Sequence, residues 1–194
     1  MARSNNKSKP NVYAFIDSQN LNLGTQKVGF KMDWRRFRKY LADQYNVTHA
    51  FMFIGYIADN ESLYEHMHEL GYLIALKPTL DVTAKQDVEG EEPTPADEKP
   101  VVKGNIDADL VLYAMKELPN YDKAIIVSGD GDFLSLVEYL DEQGKLLHIM
   151  TPNWQYSSLL KQFESHIIRI DQHKRELAYH DRKRPSGNKP KANS

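Results

Sequence analysis

Residues 128–133 read Ser128-Gly129-Asp130-Gly131-Asp132-Phe133 and stand between a strand pattern and a helix pattern. The run before them is apolar and β-branched, Ala124-Ile125-Ile126-Val127. Such a run without alternation is typical of a parallel strand that is covered on both faces. Two carboxylates held close together repel each other unless a cation or a proton lies between them. The stretch therefore predicts an acidic site at the end of a buried strand, where Gly131 permits an unusual φ and so lets the two flanking aspartates converge.

The composition of the chain indicates one soluble domain. The chain has 194 residues, a net charge of −2 and no cysteine. The lack of cysteine excludes disulfides and thiolate zinc sites, and it fits a reducing compartment. No apolar run reaches the roughly 20 residues that a membrane span needs, and residues 1–10 lack the apolar centre of a signal peptide. We therefore expect a cytoplasmic protein that makes no contact with membranes.

Charge is segregated along the chain and indicates three parts. Residues 1–10 are polar and are expected to form a disordered head. Residues 11–172 carry the apolar patterns of one domain, and residues 173–194 form a basic tail. Within the domain, residues 79–100 contain three prolines and lack apolar periodicity, and residues 87–98 among them carry six carboxylates and no cation. We expect this segment to be a long mobile loop.

Strand and helix patterns alternate along the domain. They predict strands over residues 12–16, 47–56, 72–76, 123–128, 146–150 and 166–170. They predict helices over about 33–45, 60–70, 105–118, 132–143 and 156–163, with a polar loop at 17–20. Asp33 and Asn60 are expected to cap helices, Gly71 and Gly144 to end them, and Leu63, Met67 and Leu70 to form one apolar helix face. The alternation predicts a parallel α/β sheet with right-handed crossovers.

Four aspartates are predicted to lie near the carboxyl ends of the strands. Asp17 follows the first strand, Asp107 opens the helix over 105–118, and Asp130 and Asp132 follow the fourth strand. Ligands bind such sheets where the strand order reverses, so these acids meet if strands one and four are neighbours. Each acid alone is equally explained as a turn residue or a helix cap. Together they form the oxygen cluster that divalent cations prefer, and such centres hydrolyse phosphodiesters.

Three motifs together resemble the NYN domain, whose LabA-like members belong to the PIN-like nuclease superfamily. They are Asp17-Ser18-Gln19-Asn20, Lys103-Gly104 with a following acid, and the hexapeptide 128–133. The resemblance covers about residues 11–170. It implies a PIN-like three-layer α/β/α sandwich with a mainly parallel sheet of five or six strands.

The resemblance also implies a metal-dependent ribonuclease centre. Asp17, Asp107, Asp130 and Asp132 would hold Mg²⁺ or Mn²⁺, Asn20 would organise the site, and Ser128 would support the acids. One departure concerns the helix acid, because Asp107 and Asp109 are two residues apart and point in different directions on a helix. We favour Asp107 and keep Asp109 as the alternative.

Substrate contacts are predicted on the same side of the sheet. Lys103 would neutralise a phosphate beside Asp107, although it is equally explained as a surface lysine. Residues 151–158 follow the fifth strand, where Ser157 would bond phosphate or sugar and Trp154 or Tyr156 would stack a base. The alternative for this segment is an ordinary helix-capping turn. The basic tail would add salt-sensitive affinity for RNA, and the acidic loop would compete with RNA or only solubilise the protein.

These observations predict a metal-dependent endoribonuclease that acts on single-stranded RNA. The alternative is a non-catalytic RNA- or protein-binding NYN module, and a homodimer is left open. Other chemistries lack their motifs. A haloacid-dehalogenase phosphatase needs an acid where this chain has Gln19, and neither a G-x-G-x-x-G nor a G-x-S-x-G motif occurs at the required place.

Overall fold

A six-stranded parallel sheet forms the centre of the protein. The computed structural model describes residues 9–55, 61–77 and 106–180. The strands are β1 (Val12–Asp17), β2 (Val47–Gly55), β3 (Leu73–Lys77), β4 (Lys123–Val127), β5 (Leu146–Thr151) and β6 (Ile167–Arg169). Their order across the sheet is β3-β2-β1-β4-β5-β6. The predicted α/β class with a parallel sheet is confirmed.

The strand order reverses between β1 and β4. These two strands pair in parallel register from Val12 opposite Lys123 to Ile16 opposite Val127. Asp17 and Ser128 come directly after this last pair, so they lie side by side at the carboxyl ends of the two strands. A reversal of this kind opens a crevice at the carboxyl ends of the strands, because the two connections run to opposite sides.

Helices cover both faces of the sheet and complete the three-layer sandwich. They are α1 (Ser18–Lys27), α2 (Trp34–Tyr45), α3 (Glu61–Glu69), α4 (Ile106–Lys116), α5 (Leu134–Glu142) and α6 (Lys174–Leu177). One core contains buried side chains of α1, α2, α3 and α6 with Ile16 and Val127 of the sheet. The other contains those of α4 and α5 with Phe15 and Ile126. Successive strand residues point to opposite faces, so each central strand supplies both cores.

Several local predictions are confirmed by the backbone. Asp33 caps α2 by accepting a hydrogen bond from the Arg36 N–H at 3.1 Å. Gly71 and Gly144 have φ of 86° and 62° and follow helices, as expected for residues that end them. In the part of the chain that the structure describes, no helix is both long and apolar enough to cross a membrane.

Other local predictions are wrong. The expected polar loop at 17–20 is the start of α1, a helix that the periodicity did not predict. In α3 the buried residues are Tyr64 and Met67, whereas Leu63 is 41% exposed. The short helix expected over 156–163, by contrast, is present as the 3₁₀ helix Ser158–His166. The expected cap Asn60, residues 1–8, the acidic loop over 79–100, Lys103 and the tail beyond residue 180 lie outside the described residues.

The first residues of the expected basic tail pack against the domain. Leu177 is fully buried, and its carbonyl oxygen accepts a hydrogen bond from the Asp33 N–H at 2.8 Å. Ala178 forms a β-bridge with Met32. This contact holds the turn between α1 and α2 against the C-terminal segment.

Candidate active site

Asp17 is the most buried of the predicted acids. It is 7% exposed and lies where β1 ends and α1 begins. One of its oxygens accepts a hydrogen bond from the Asn20 N–H at 3.0 Å, and the other accepts one from the Ser128 hydroxyl at 3.2 Å. Its carboxylate thus caps α1 and joins β1 to β4.

The surroundings of Asp17 disfavour its charge. Burial raises the pKa of the Asp17 carboxyl, and the charges of Asp107 and Asp130 raise it further. The two hydrogen bonds act in the opposite direction because they favour the charged form. A cation beside this carboxylate would offset both the cost of burying its charge and the repulsion from Asp107 and Asp130.

The turn after β4 is held by a chain of hydrogen bonds. The Asp130 N–H donates to the Ser128 hydroxyl at 3.2 Å, and the Asp132 N–H donates to the Asp130 carboxylate at 3.0 Å. The Gly129 N–H donates to the side-chain oxygen of Asn20 at 2.9 Å. Asn20 therefore ties α1 to the acidic turn, which is the organising contact expected for it.

Gly131 is required for space and not for an unusual φ. Among the described glycines, positive φ occurs at Gly29, Gly71 and Gly144, so Gly131 does not use the conformational freedom that glycine offers. A Cβ at Gly131 would lie 2.4 Å from the Ser157 hydroxyl oxygen. Ser157 also donates its backbone N–H to the Gly129 carbonyl at 2.9 Å. The segment after β5 thus packs directly on the acidic turn.

The remaining predicted residues fall in three places. Asp107 lies half-buried in the first turn of α4, near enough for its charge to act on Asp17. Asp132 is exposed in the 3₁₀ turn Gly131–Phe133. Ser157 caps the 3₁₀ segment by accepting from the Leu159 N–H at 3.4 Å. The structure thus brings together Asp17, Asp107, Asp130, Asn20 and Ser128, with Ser157 beside them.

A cleft that sequence reasoning missed adjoins these residues. It has a volume of about 210 Å³ and lies between α1 and the loop after β5, and we call it the α1–β5 cleft. Its lining includes Asn20, Gly24, Lys27, Asn153 and Gln155. No sequence signal marked it because α1 itself was not predicted.

The donor set fits a hydrated divalent cation. Within residues 9–55, 61–77 and 106–180, no three His, Asp or Glu side chains form a metal-ligand group. Mg²⁺ usually keeps several waters and takes only one or two carboxylates from a protein. Asp17 with Asp107 and Asp130 nearby supplies that kind of site, since each carboxylate oxygen has a second lone pair. The metal site itself stays a prediction.

A parallel sheet between helical layers, with carboxylates at the point where the strand order reverses, is the arrangement that a PIN-like domain was expected to have. The NYN domain family model matches residues 11–171. The chain therefore belongs to the NYN domain family, which is nuclease-like.

Known proteins that are similar to this chain include LabA and a protein of solved structure. The low amplitude and bright protein LabA of Synechococcus elongatus is 25% identical over 139 residues, which cover 70% of this chain and 69% of LabA. The crystal structure of a protein of unknown function from Vibrio parahaemolyticus superposes with a TM-score of 0.62 and 20% identity. It covers 88% of this chain and 98% of its own. This likeness supports the PIN-like fold.

Proposed function

We propose that this protein is a metal-dependent ribonuclease that hydrolyses phosphodiester bonds in single-stranded RNA. The observation that carries the proposal is the buried carboxylate of Asp17, held beside Asp107 and Asp130 and raised in pKa by burial and by their charges. A fold that needed only a helix cap would not gain from burying that cap among other acids. The lack of cysteine fits our expectation that the protein acts in the cytoplasm.

Each residue has a defined part in this proposal. Asp17, Asp107 and Asp130 would hold Mg²⁺ or Mn²⁺, with Asp132 at the exposed rim. When bound, the ion would stabilise charge on the phosphodiester and lower the pKa of a water. Ser128 and Asn20 fix the Asp17 carboxylate and the acidic turn in position, so the acids need not reorganise when substrate arrives.

A second candidate is a non-catalytic RNA- or protein-binding NYN module. The specific observation in its favour is that the described side chains form no three-residue metal-ligand group. In that case the acids would remain as caps of α1 and of the 3₁₀ turn after β4.

One experiment separates the two candidates. Purified protein is incubated with a labelled single-stranded RNA in Mg²⁺, in Mn²⁺ or in EDTA, beside Asp130→Asn and Asp43→Asn. The amide oxygen that Asp130→Asn introduces can still accept from the Asp132 N–H, so the turn should persist. Asp43 pairs with Lys39 on the surface of α2 and serves as the control acid.

The proposal expects cleavage in Mn²⁺ by the wild type and by Asp43→Asn, and none in EDTA or by Asp130→Asn. Cleavage that persists in EDTA or in Asp130→Asn would refute the metal mechanism. No cleavage with either Mg²⁺ or Mn²⁺, while RNA or a protein partner still binds, would favour the module.

A further inference from the structure

The α1–β5 cleft begins beside the acid cluster and follows one face of α1. Asn20, Gly24 and Lys27 line it and are four and then three residues apart, so they share one side of the helix. The Asn20 N–H also donates the hydrogen bond by which the Asp17 carboxylate caps α1. From Asn20 to Lys27 the helix rises by about 10 Å. The cleft therefore leads from the acids to the ammonium group of Lys27.

The walls of the cleft are fixed by close packing and hydrogen bonds. A Cβ at Gly24 would lie 2.4 Å from Cβ of Pro152, so only glycine lets α1 approach the loop. Asn153 is 5% exposed, and its amide nitrogen donates to the Gly24 carbonyl at 2.7 Å. Its amide oxygen accepts from the Gln155 N–H at 2.7 Å. The cleft is thus preformed, which lowers the cost of binding.

The chemistry of the cleft differs from that of the acid cluster. Its described lining holds one cation, Lys27, and no acid. Lys27 forms no ion pair among the contacts of the described residues. Leu23 is 56% exposed at the same place and offers an apolar surface. A cation, amide groups and an apolar surface together suit a nucleotide.

Further cations continue beyond the far end of the cleft. Lys174 places its ammonium 5.7 Å from the centre of the Phe30 ring, close to Gly29. Lys31 lies 5.6 Å from the Tyr179 ring. A strand that leaves the cleft past Lys27 therefore meets positive charge and not the acids.

We infer that the α1–β5 cleft binds a nucleotide of single-stranded RNA next to the acid cluster, with the Lys27 ammonium on its phosphate. This contact directs the strand along α1 and away from α4. The inference rests on the proposed function for the identity of the ligand. It adds the path of the strand and the residue that sets that path.

The test measures binding separately from cleavage. Fluorescence anisotropy follows a labelled oligouridine in EDTA at several NaCl concentrations, with Lys27→Ala, Lys27→Arg and the control Lys161→Ala. Lys161 is exposed in the 3₁₀ segment after β5 and does not line the cleft. Lys27 is exposed as well, so neither substitution should impair folding, which thermal melting checks.

Lys27→Ala should weaken binding by roughly fivefold to tenfold and lower the salt slope by about 0.7, the value for one phosphate contact on a single strand. Lys27→Arg should restore most of the affinity, and Lys161→Ala should bind like the wild type. Equal losses for Lys27→Ala and Lys161→Ala would overturn the inference. The same loss on a duplex RNA would overturn the single-strand assignment.

Cleavage in Mn²⁺ is measured in parallel, so that the two proposals can fail separately. If the wild type cleaves RNA and Lys27→Ala binds normally, the cleft assignment is wrong and the nuclease proposal stands. If nothing is cleaved but Lys27→Ala loses affinity with the reduced salt slope, the cleft is an RNA site and the nuclease proposal is wrong.

Discussion

Two aspartates cap helices in this protein in the same way but in opposite surroundings. Asp17 accepts from the N–H of Asn20 at 3.0 Å, and Asp33 accepts from the N–H of Arg36 at 3.1 Å. The Asp33 side chain is 22% exposed and pairs with the Arg36 guanidinium at 3.5 Å. Asp17 is buried and has Asp107 and Asp130 as charged neighbours.

Helix capping explains the hydrogen bond from Asn20 to Asp17. It does not explain why Asp17 is buried beside two other acids. Capping stabilises a helix by about 1 kcal/mol, and Asp33 achieves it while partly exposed and paired with a counter-ion. Burial among like charges adds nothing to the cap and opposes ionisation. The surroundings of Asp17 therefore support the proposed cation site, and the predictions below contrast these two caps.

The largest difference is expected in catalysis. Asp17→Asn should lower the single-turnover rate of RNA cleavage in Mn²⁺ by about a hundredfold or more, because charge stabilisation at the phosphate is lost. Asp33→Asn should leave the rate within about twofold of the wild type. Asparagine still caps α2, and position 33 lies away from Asp17, Asp107 and Asp130. Equal rates for the two variants would show that Asp17 contributes no more to cleavage than the ordinary cap Asp33.

The next largest difference is expected in stabilisation by the ion. A ligand at a hundred times its dissociation constant stabilises a folded protein by about 2.7 kcal/mol. Mn²⁺ should therefore raise the melting temperature of the wild type and of Asp33→Asn by several degrees and that of Asp17→Asn by little. Differential scanning fluorimetry with and without Mn²⁺ measures this. A shift that survives in Asp17→Asn would place the ion elsewhere.

A smaller difference is expected in the pH dependence of stability without metal. Because burial raises the pKa of Asp17 above its ordinary value of 3.8, the folded state favours the protonated carboxyl. That stability is complete below the unfolded pKa and is lost as the pH rises through the folded pKa. The amide that Asp17→Asn introduces stays neutral throughout.

Asp17→Asn should therefore gain stability relative to wild type as the pH rises towards neutrality. In other words, its free energy of unfolding minus that of the wild type should increase. Urea denaturation in EDTA over a series of pH values measures the gap. A difference (variant minus wild type) that is constant with pH, or that falls as the pH rises, would contradict the direction of the shift.

The smallest effect is expected at the ordinary cap. Arg36→Gln removes the ion pair with Asp33, which is 3.5 Å long and partly exposed. Exposed pairs of this kind contribute between about 0 and 1 kcal/mol, so the free energy of unfolding should fall by no more than that. Urea denaturation at low and high salt checks the value, and a loss of several kcal/mol would show that the two caps are less different than the structure indicates.

Much of the fold could be predicted because apolar runs and turn residues act locally. The run Val12–Ile16 and the run Ala124–Val127 are fully buried strands, and the glycines at 71 and 144 have the positive φ that their positions indicated. The rule for parallel sheets predicted that Asp17 and Asp130 would meet if strands one and four were neighbours, and β1 and β4 are neighbours.

Helix α1 could not be predicted from local sequence. Its residues Ser18–Lys27 include serine, asparagine, threonine and glycine, which are poor helix formers in isolation. Tertiary contacts hold it instead, through the buried side chains of Leu21 and Thr25 and the Gly24–Pro152 contact. Because α1 was missed, the cleft along it was missed too.

The error in α3 has a different physical cause. Tyr64 replaces Leu63 on the buried face because its ring is apolar and its hydroxyl reaches the Gly55 carbonyl at 3.3 Å. A pattern based on aliphatic residues alone favours leucine, whereas tyrosine buries well when its hydroxyl has a partner. Only the structure shows that partner.

The hydrogen bond between Ser128 and Asp17 joins residues that are 111 positions apart. The hydrogen bond between Gly129 and Asn20 joins residues that are 109 positions apart. Contacts of such long range form only after the chain has closed a large loop, which is slow compared with forming helices. During synthesis, a chain that has emerged only as far as β3 carries Asp17 but neither Asp107 nor Asp130. The acid cluster therefore comes into existence only when β4 docks beside β1, so its assembly reports that the domain has folded.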